Sequence, residues 1–299
     1  MNNIKSSFSI KDLENLTGIK AHTIRIWEKR YKLIEPDRTD TNIRLYSLEN
    51  LQLLLNISYL KANGYKISKI AELEINAIPE LVKEIAKKDS THNHAMSTFK
   101  LAMLNFDQKL FYETYASLEK EKGFLQLFHE DLVPFMGEIG LLWQTDTITP
   151  AHEHFLMNLI RQKLLVSTEE LQSRNQIDHK QIFVLFLPDN EVHELGLMLV
   201  NYEVISKGYQ AIYLGQSVPI DSLKDLLNYY DEITFISYFT VKPEKAHIND
   251  YIKEFEQKLL MSKKINLWLL GRMVKEIDLS KLNKQIVSFK SIEELVKKL

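Results

Sequence analysis

The 299-residue chain contains no cysteine, which excludes disulfides, thiolate zinc sites and thiol nucleophiles together. Any metal has to be held by histidine, by carboxylates or by a cofactor. No apolar run approaches the roughly 18 residues that cross a bilayer, and residues 1–8 lack the apolar middle of a signal peptide. The expected location is cytoplasmic, with no membrane partner. There is no GxGxxG and no Walker loop, so neither a dinucleotide nor a nucleoside triphosphate is expected. Internal repeats and low-complexity tracts are also missing. What remains is ordinary globular material, 45% hydrophobic and 26% charged, long enough for two or three domains.

The net charge of −2 is unevenly divided. Residues 1–46 hold nine Lys/Arg and six Asp/Glu, a net of +3 that leaves −5 for the rest, so the basic end is the N-terminus. Residues 8–16 form an amphipathic stretch, Thr17-Gly18 interrupts it, and residues 20–31 resume the helical period. In that second stretch Ile24 and Trp27 share an inner face, while Thr23, Arg25, Lys29 and Arg30 lie largely elsewhere. Helix, glycine turn and second helix make a helix-turn-helix, whose second helix can offer polar and basic groups to phosphates and base edges. Residues 36–42 supply turn chemistry before Ile43-Arg44-Leu45-Tyr46, an alternating strand read as a β wing with Leu45 in the core. The candidate contacts to a double-stranded operator are Thr23, Arg25, Arg30, Arg38, Arg44 and Tyr46.

Ala77-Ile78-Pro79-Glu80 and the mixed-charge run 83–90 read as a linker over residues 76–90. From 91 to 175, Phe99, Met103 and Phe106, then Leu110, Phe111, Tyr115 and Leu118, then 125–139, recur at spacings of three and four, the pattern of a four-helix bundle. Residues 145–149 are a loop, and Thr149 can cap a new helix with Pro150 in its first turn, which puts Glu153 and His154 near a helix N-terminus. On these residues alone the simpler reading packs Trp143 in the bundle and leaves His154 on a surface turn.

Beyond residue 180, apolar runs at 182–187, 211–214, 233–239, 265–270 and 286–289 alternate with helical stretches at 193–207, 220–230 and 243–262 and a last helix. Continuous apolar strands separated by helices predict a doubly wound parallel α/β sheet covered on both faces. Such sheets bind ligands beyond the carboxyl ends of their strands, here 188–193, 215–219, 237–240 and 271–272. The fold class is therefore multidomain: a winged helix-turn-helix over 1–75, a helical bundle over 91–175 and a Rossmann-like sheet over 180–299.

Thr17-Gly18-Ile19, the run from Thr23 to Tyr31, Pro36-Asp37-Arg38, Arg44-Leu45-Tyr46-Ser47 and the helices of 48–70 resemble the winged-helix domain of MerR-family transcription regulators. The Trp-Glu-Lys-Arg-Tyr variant at 27–31 is similar to the branch that includes the CarH and LitR light-responsive regulators. Glu191-x-His193-x-x-Gly196, with Gly208 to Pro219, resembles the cobalamin-binding domain of the methionine synthase and mutase group, with Glu in the acid position of a DxHxxG signature. The resemblance implies His193 as the lower axial ligand to the cobalt of cobalamin, displacing the cofactor's own base, and Glu191 as the carboxylate that orients it. It implies Gly196, Ser237 and Gly271 as further cofactor contacts, the last two near the buried nucleotide tail. Trp143, nine residues and then Glu153-His154 are similar to the W-x9-EH signature of the helical cap in CarH-type regulators, which implies Trp143 over the adenosyl face of adenosylcobalamin and Glu153 on its adenosyl group.

Three positions depart from these patterns. Ser237-Tyr238-Phe239 stands for Ser-x-Leu, Gly271-Arg272 for a Gly-Gly pair, and Gln144 follows the Trp where the family has a His that takes the cobalt after light. The expected function is a non-enzymatic transcriptional regulator, a repressor whose cobalamin module responds to light and sets oligomeric state, dimer or tetramer, and so DNA affinity. Two alternatives stand beside it. One is a regulator whose pocket has degenerated into a protein-interaction domain, with Arg272 as its best support. The other is a corrinoid-dependent methyltransferase, which would have no use for a winged helix.

Overall fold

The computed structural model describes residues 7–88, 92–174, 181–260, 264–278 and 283–299. It divides into two compact units, Met1–Ile160 and Arg161–Leu299. The expected boundaries at 90–91 and 175–180 lie outside the described residues.

The first unit opens with β1 (Ser7–Phe8) and α1 (Ile10–Thr17), whose start is closed by a reciprocal capping box between Ser9 and Asp12. Gly18, at φ 72°, supplies the left-handed turn that lets α2 (Ala21–Tyr31) follow directly. β2 (Asp37–Arg38) and β3 (Arg44–Ser47) form the wing, in a three-stranded sheet of order β1-β3-β2. Then come α3 (Leu48–Ala62), α4 (Ile67–Ile70) and α5 (Ala77–Lys88).

The last of these occupies the expected linker. Ile78 and Val82 are buried and α5 packs on α3, so the segment is part of the first unit. Residues 78, 81, 82 and 85 form a helical stripe. Pro79 does not break it, because it sits in the first turn, where no N–H is needed.

The helical region comprises α6 (His92–Asn105), α7 (Gln108–Lys122), α8 (Phe124–Gln126), a π-helical stretch Leu127–Leu132 running into α9 (Val133–Gln144), and α10 (Pro150–Arg174). Pro134 explains the π-helical stretch: its ring pushes against the carbonyl one turn earlier and removes an N–H, and the wider turn relieves both. Phe99 packs against Phe111 and Phe135 at ring distances of 5.1 and 5.8 Å, fixing α6, α7 and α9 around one core. The same helix reaches the DNA-binding segment, since buried Lys100 donates from Nζ to the Leu16 carbonyl (3.2 Å) and pairs with Glu138 (2.5 Å).

The second unit runs β4 (Ile182–Phe186), α11 (Leu195–Ser206), β5 (Gln210–Gly215), a 3-10 segment Ile220–Asn228, β6 (Ile233–Tyr238), α12 (Ile248–Leu259), β7 (Ile265–Leu270), a 3-10 turn Arg272–Glu276, β8 (Ile286–Ser288) and α13 (Ile292–Val296). The strands are parallel in the order β5-β4-β6-β7-β8, so the direction of winding reverses between β4 and β6. Every residue of β4 is buried, as a strand covered on both faces requires. Val184, Phe186, Phe235 and Leu267 form one core with Phe255 of α12. The fold class read from the sequence is the one observed. No described helix is long and apolar enough to cross a membrane.

Replacing Lys100 with Met keeps the stem but leaves the Leu16 carbonyl and Glu138 without their cation. We expect a loss of about 1–3 kcal/mol, the cost of an unsatisfied buried partner, read as a lower thermal midpoint; an unchanged midpoint refutes it.

Candidate functional site

Three clusters carry the candidate residues. On α2 the exposed side presents His22, Arg25, Ile26, Lys29 and Arg30, while Ile24 and Trp27 are buried. Thr23 is half-buried, 3.4 Å from His22. The guanidinium of Arg30 lies 5.3 Å from the Tyr31 ring centre, which leaves its edge to solvent. Ile26 was missed by the sequence reading, yet it is 50% exposed between cations, where an apolar side chain can meet a thymine methyl. Its only signal was its position off the Ile24–Trp27 stripe.

The wing corrects two expectations. Arg38 is exposed and donates to Asn42 Oδ1 at 2.5 Å. Tyr46, expected on the DNA side, is fully buried, and its hydroxyl donates to Glu28 Oε2 at 3.3 Å. Burial first, then the charge and hydrogen bond of Glu28, raise its phenol to about 12. Leu45, expected in the core, is only half-buried. The parity of β3 is set by its pairing with β1, where Phe8 faces Tyr46, and strands alternate sides strictly. Arg44 shares the inner side and binds both Glu28 oxygens through Nε at 3.1 Å, so it braces α2 against the wing.

At the end of the helical region, Trp143 closes α9 with 49% of its surface exposed, contrary to the reading that packs it in the bundle. Helix α10 begins at Pro150 as expected, but its start involves a histidine. The Thr149 N–H donates to His152 Nδ1 (3.2 Å), and the Thr149 hydroxyl lies 2.8 Å from the same atom. His152 is 1% exposed and stacks on Phe106. Its Nδ1 is thus committed to the helix start. His154 is exposed, with Nε2 3.3 Å from Glu153 Oε2.

On the rim of the second unit, the loop after β4 turns Glu191 inward until it is fully buried. Its Oε1 accepts from the N–H groups of Val192 (2.9 Å) and His193 (3.0 Å) and lies 2.6 Å from His193 Nδ1. Its Oε2 accepts from the N–H groups of Val241 (2.6 Å) and Lys242 (2.7 Å), in the loop after β6. Burial pushes the carboxyl upward, but the hydrogen bonds from His193, Lys242 and Val241 outweigh it and hold the group at about 2. An ionised Glu191 accepts a proton bond from Nδ1, so the imidazole tautomer carries its lone pair on Nε2. The ring itself is 55% exposed. That donor set fits an axial nitrogen ligand.

The other rim residues are placed differently. Ser237 is fully buried, and its hydroxyl donates to the Phe186 carbonyl at 3.0 Å, bridging β6 to β4 beneath the rim. Gly271, at φ 101°, lies so near the backbone of Phe239 that a Cβ would stand 2.3 Å from its carbonyl oxygen. Gly196 meets the Tyr238 ring, which a Cβ would approach to 2.7 Å. Arg272 donates from Nε to the Thr240 carbonyl at 2.7 Å. Beside His193, Glu194 is buried between Arg161 Nε (2.7 Å) and the Tyr213 hydroxyl (3.2 Å), a cluster the sequence reading passed over.

A model of MerR HTH family regulatory proteins matches residues 8–74, and one of the B12 binding domain matches residues 97–166. Successive segments of the chain thus match a MerR-type helix-turn-helix domain and a B12-binding domain. It is similar to the HTH-type transcriptional repressor CarH of Myxococcus xanthus, 27% identical over 224 residues and 73% of each chain. It is also similar to the repressor CarA of that organism, 24% identical over 72% of this chain and 70% of that one. Among solved structures, the monomethylamine corrinoid protein of Methanosarcina barkeri, 14% identical, covers 70% of this chain and 98% of its own with a TM-score of 0.56, and so shares the fold.

Within this MerR and B12 frame, Glu191 is the residue with most to lose. Glu191→Gln replaces one acceptor oxygen by an NH2 that faces donors, and we expect about 1–3 kcal/mol of lost stability. The wild-type contribution has a definite pH window. Because the folded carboxyl is held at about 2, below its ordinary 4.5, its share of stability is complete above pH 4.5 and is lost as pH falls towards 2. Thermal melts of both proteins from neutral pH to pH 3 test this; a difference that does not shrink with acid overturns it.

Proposed function

We propose that this MerR and B12 regulator is a repressor that binds double-stranded operator DNA through α2 and the wing and is controlled by cobalamin ligated by His193. The observation that carries the reading is the Glu191–His193 pair, an oriented imidazole on a parallel-sheet rim, in a chain that begins with a helix-turn-helix. Bound cobalamin would supply a cobalt centre and, in its adenosyl form, a light-sensitive cobalt–carbon bond.

The chain's own residues then have distinct tasks. Glu191 holds the tautomer and aim of His193. Arg25, Arg30 and Arg38 are the DNA contacts retained, with Thr23 beside them; Arg44 acts through Glu28, and Tyr46 supports the wing from within. Trp143, Glu153 and His154 are the first unit's candidate cofactor contacts. His152 cannot serve as a second imidazole without surrendering the start of α10, and Gln144 offers only an amide, a poor cobalt ligand. The adenosyl form, assembly into a homo-oligomer and a cytoplasmic location complete the reading. The role is non-enzymatic: the named relatives are transcriptional repressors, and the corrinoid-protein neighbour speaks for the fold alone.

Two measurements test it. Incubated with adenosylcobalamin, the wild type co-elutes with the corrinoid on gel filtration, and His193→Ala loses it, whereas His247→Ala, outside the motif, keeps it. In gel shifts on its promoter, affinity falls steeply with salt, and Arg25→Ala costs about 1–3 kcal/mol. Failure of the wild type to retain any corrinoid, or salt-insensitive DNA binding, refutes the corresponding half.

A further inference from the structure

The winding of the sheet reverses between β4 and β6, and the crevice of such a sheet opens at that switch point. His193 follows β4 at its mouth, Gly196 begins α11 as one wall, and Tyr238 ends β6 as the other. The Tyr238 ring projects into this space against Gly196. A Cβ built on Gly196 would meet three ring atoms, Cζ at 2.7 Å, Cε2 at 2.8 Å and Cε1 at 3.1 Å, so the ring is seated directly on the Gly196 backbone. Burial, with the nearby charge of Glu293, raises the Tyr238 phenol, as suits a ring set inside the rim.

The neighbouring side of the crevice is closed by backbone. The Phe239 N–H donates to the Leu270 carbonyl (2.7 Å), the Met273 N–H to the Phe239 carbonyl (3.0 Å), and Arg272 ties to Thr240. Gly271 has no room for a Cβ against Phe239. Unlike these backbone contacts, the Tyr238 ring moves by a side-chain rotation alone.

This geometry matters for a corrinoid whose cobalt is held by His193. Cobalamin carries its nucleotide on the lower face of the ring, and once an imidazole from the protein displaces the base, the nucleotide has to leave the cobalt on the protein's side. A tail-less corrinoid has no such group to place. We propose that Tyr238 is a gate that a complete cobalamin must displace and a tail-less corrinoid need not, which makes Tyr238 a residue that sets corrinoid specificity. The proposal rests on the cobalamin reading above and concerns the lower side of the ligand alone.

The test titrates apo full-length protein with hydroxocobalamin and with aquohydroxocobinamide, which lacks the nucleotide, following the visible spectrum and co-elution on gel filtration. In the wild type, cobinamide binds more tightly than cobalamin. The difference is about ten- to a hundredfold, as when an open rotamer is about 1–10% populated. Tyr238→Ala raises cobalamin affinity by that factor and leaves cobinamide affinity where it was, whereas Tyr238→Phe, which keeps the ring, behaves as the wild type. Circular dichroism checks the fold of both variants. Should Tyr238→Ala fail to fold, the wild-type preference still decides: cobalamin bound as tightly as cobinamide, or more so, overturns the gate. Cobalamin affinity unchanged in a folded Tyr238→Ala also overturns it. No uptake of either corrinoid by the wild type or its variants instead overturns the cobalamin reading itself.

Discussion

The ionised carboxylate of Glu191 is the group on which the rim of the second unit is built. It is fully buried, and a buried charge persists only where donors replace the water it has lost. Four backbone N–H groups and one imidazole nitrogen supply them. Because those donors come from the loops after β4 and after β6, one side chain binds together the two strand ends between which the winding reverses. The orientation of His193 is a by-product of this arrangement. An Asn or Gln in that place could not accept from all sides, and an apolar residue would leave the N–H groups stranded.

Glu28 has a related role in the first unit. It collects Arg44 and Tyr46 from the wing onto α2, so the angle between helix and wing is held by a half-sheltered carboxylate. The exposed cations of α2 stand on a surface whose geometry is fixed from behind. A guanidinium committed to such a brace contributes less charge to DNA than a sequence count assigns it. That separates Arg44 from Arg25 and Arg30, although all three look alike as letters.

Much of this was legible in advance, and the reasons are physical. A strand buried on both faces is mostly apolar, so β4, β6 and β7 announced themselves; a Gly between two amphipathic stretches marked the turn before α2. The resemblance carried by Glu191-x-His193 implied a carboxylate that orients the imidazole, and the two groups lie 2.6 Å apart. What failed depended on partners distant in sequence. Arg44-Leu45-Tyr46 alternates, but nothing within those residues says which side is inner, and the pairing with Phe8 reverses the choice that hydrophobicity suggests. Residues 76–90 read as a linker because their charges and Pro79 drew more notice than the stripe of Ile78 and Val82. The departure from Ser-x-Leu lies at Phe239, while Tyr238 stands at the open position of that pattern, and only the fold shows its ring lying on Gly196.

The loop at 145–149 is joined to the DNA-binding segment of the same unit. Thr147 is fully buried, and its hydroxyl accepts from the Asn15 side chain of α1 at 2.9 Å while lying 3.0 Å from Thr145. On one side the loop continues from Trp143, and on the other it enters α10 through the Thr149–His152 cap. A displacement of Trp143 or of the first turn of α10 therefore has two outcomes: it breaks the Asn15–Thr147 bond, leaving polar groups unsatisfied in a dry place, or it carries α1 with it. The second is the cheaper, because α1 is further held by Lys100 to the same helical region, through the Leu16 carbonyl. Packed interiors transmit such shifts instead of absorbing them. The candidate cofactor residues of the first unit and its helix-turn-helix are thus joined by a short series of contacts, whose polar links at Asn15 and Lys100 lie outside every motif that the sequence displays.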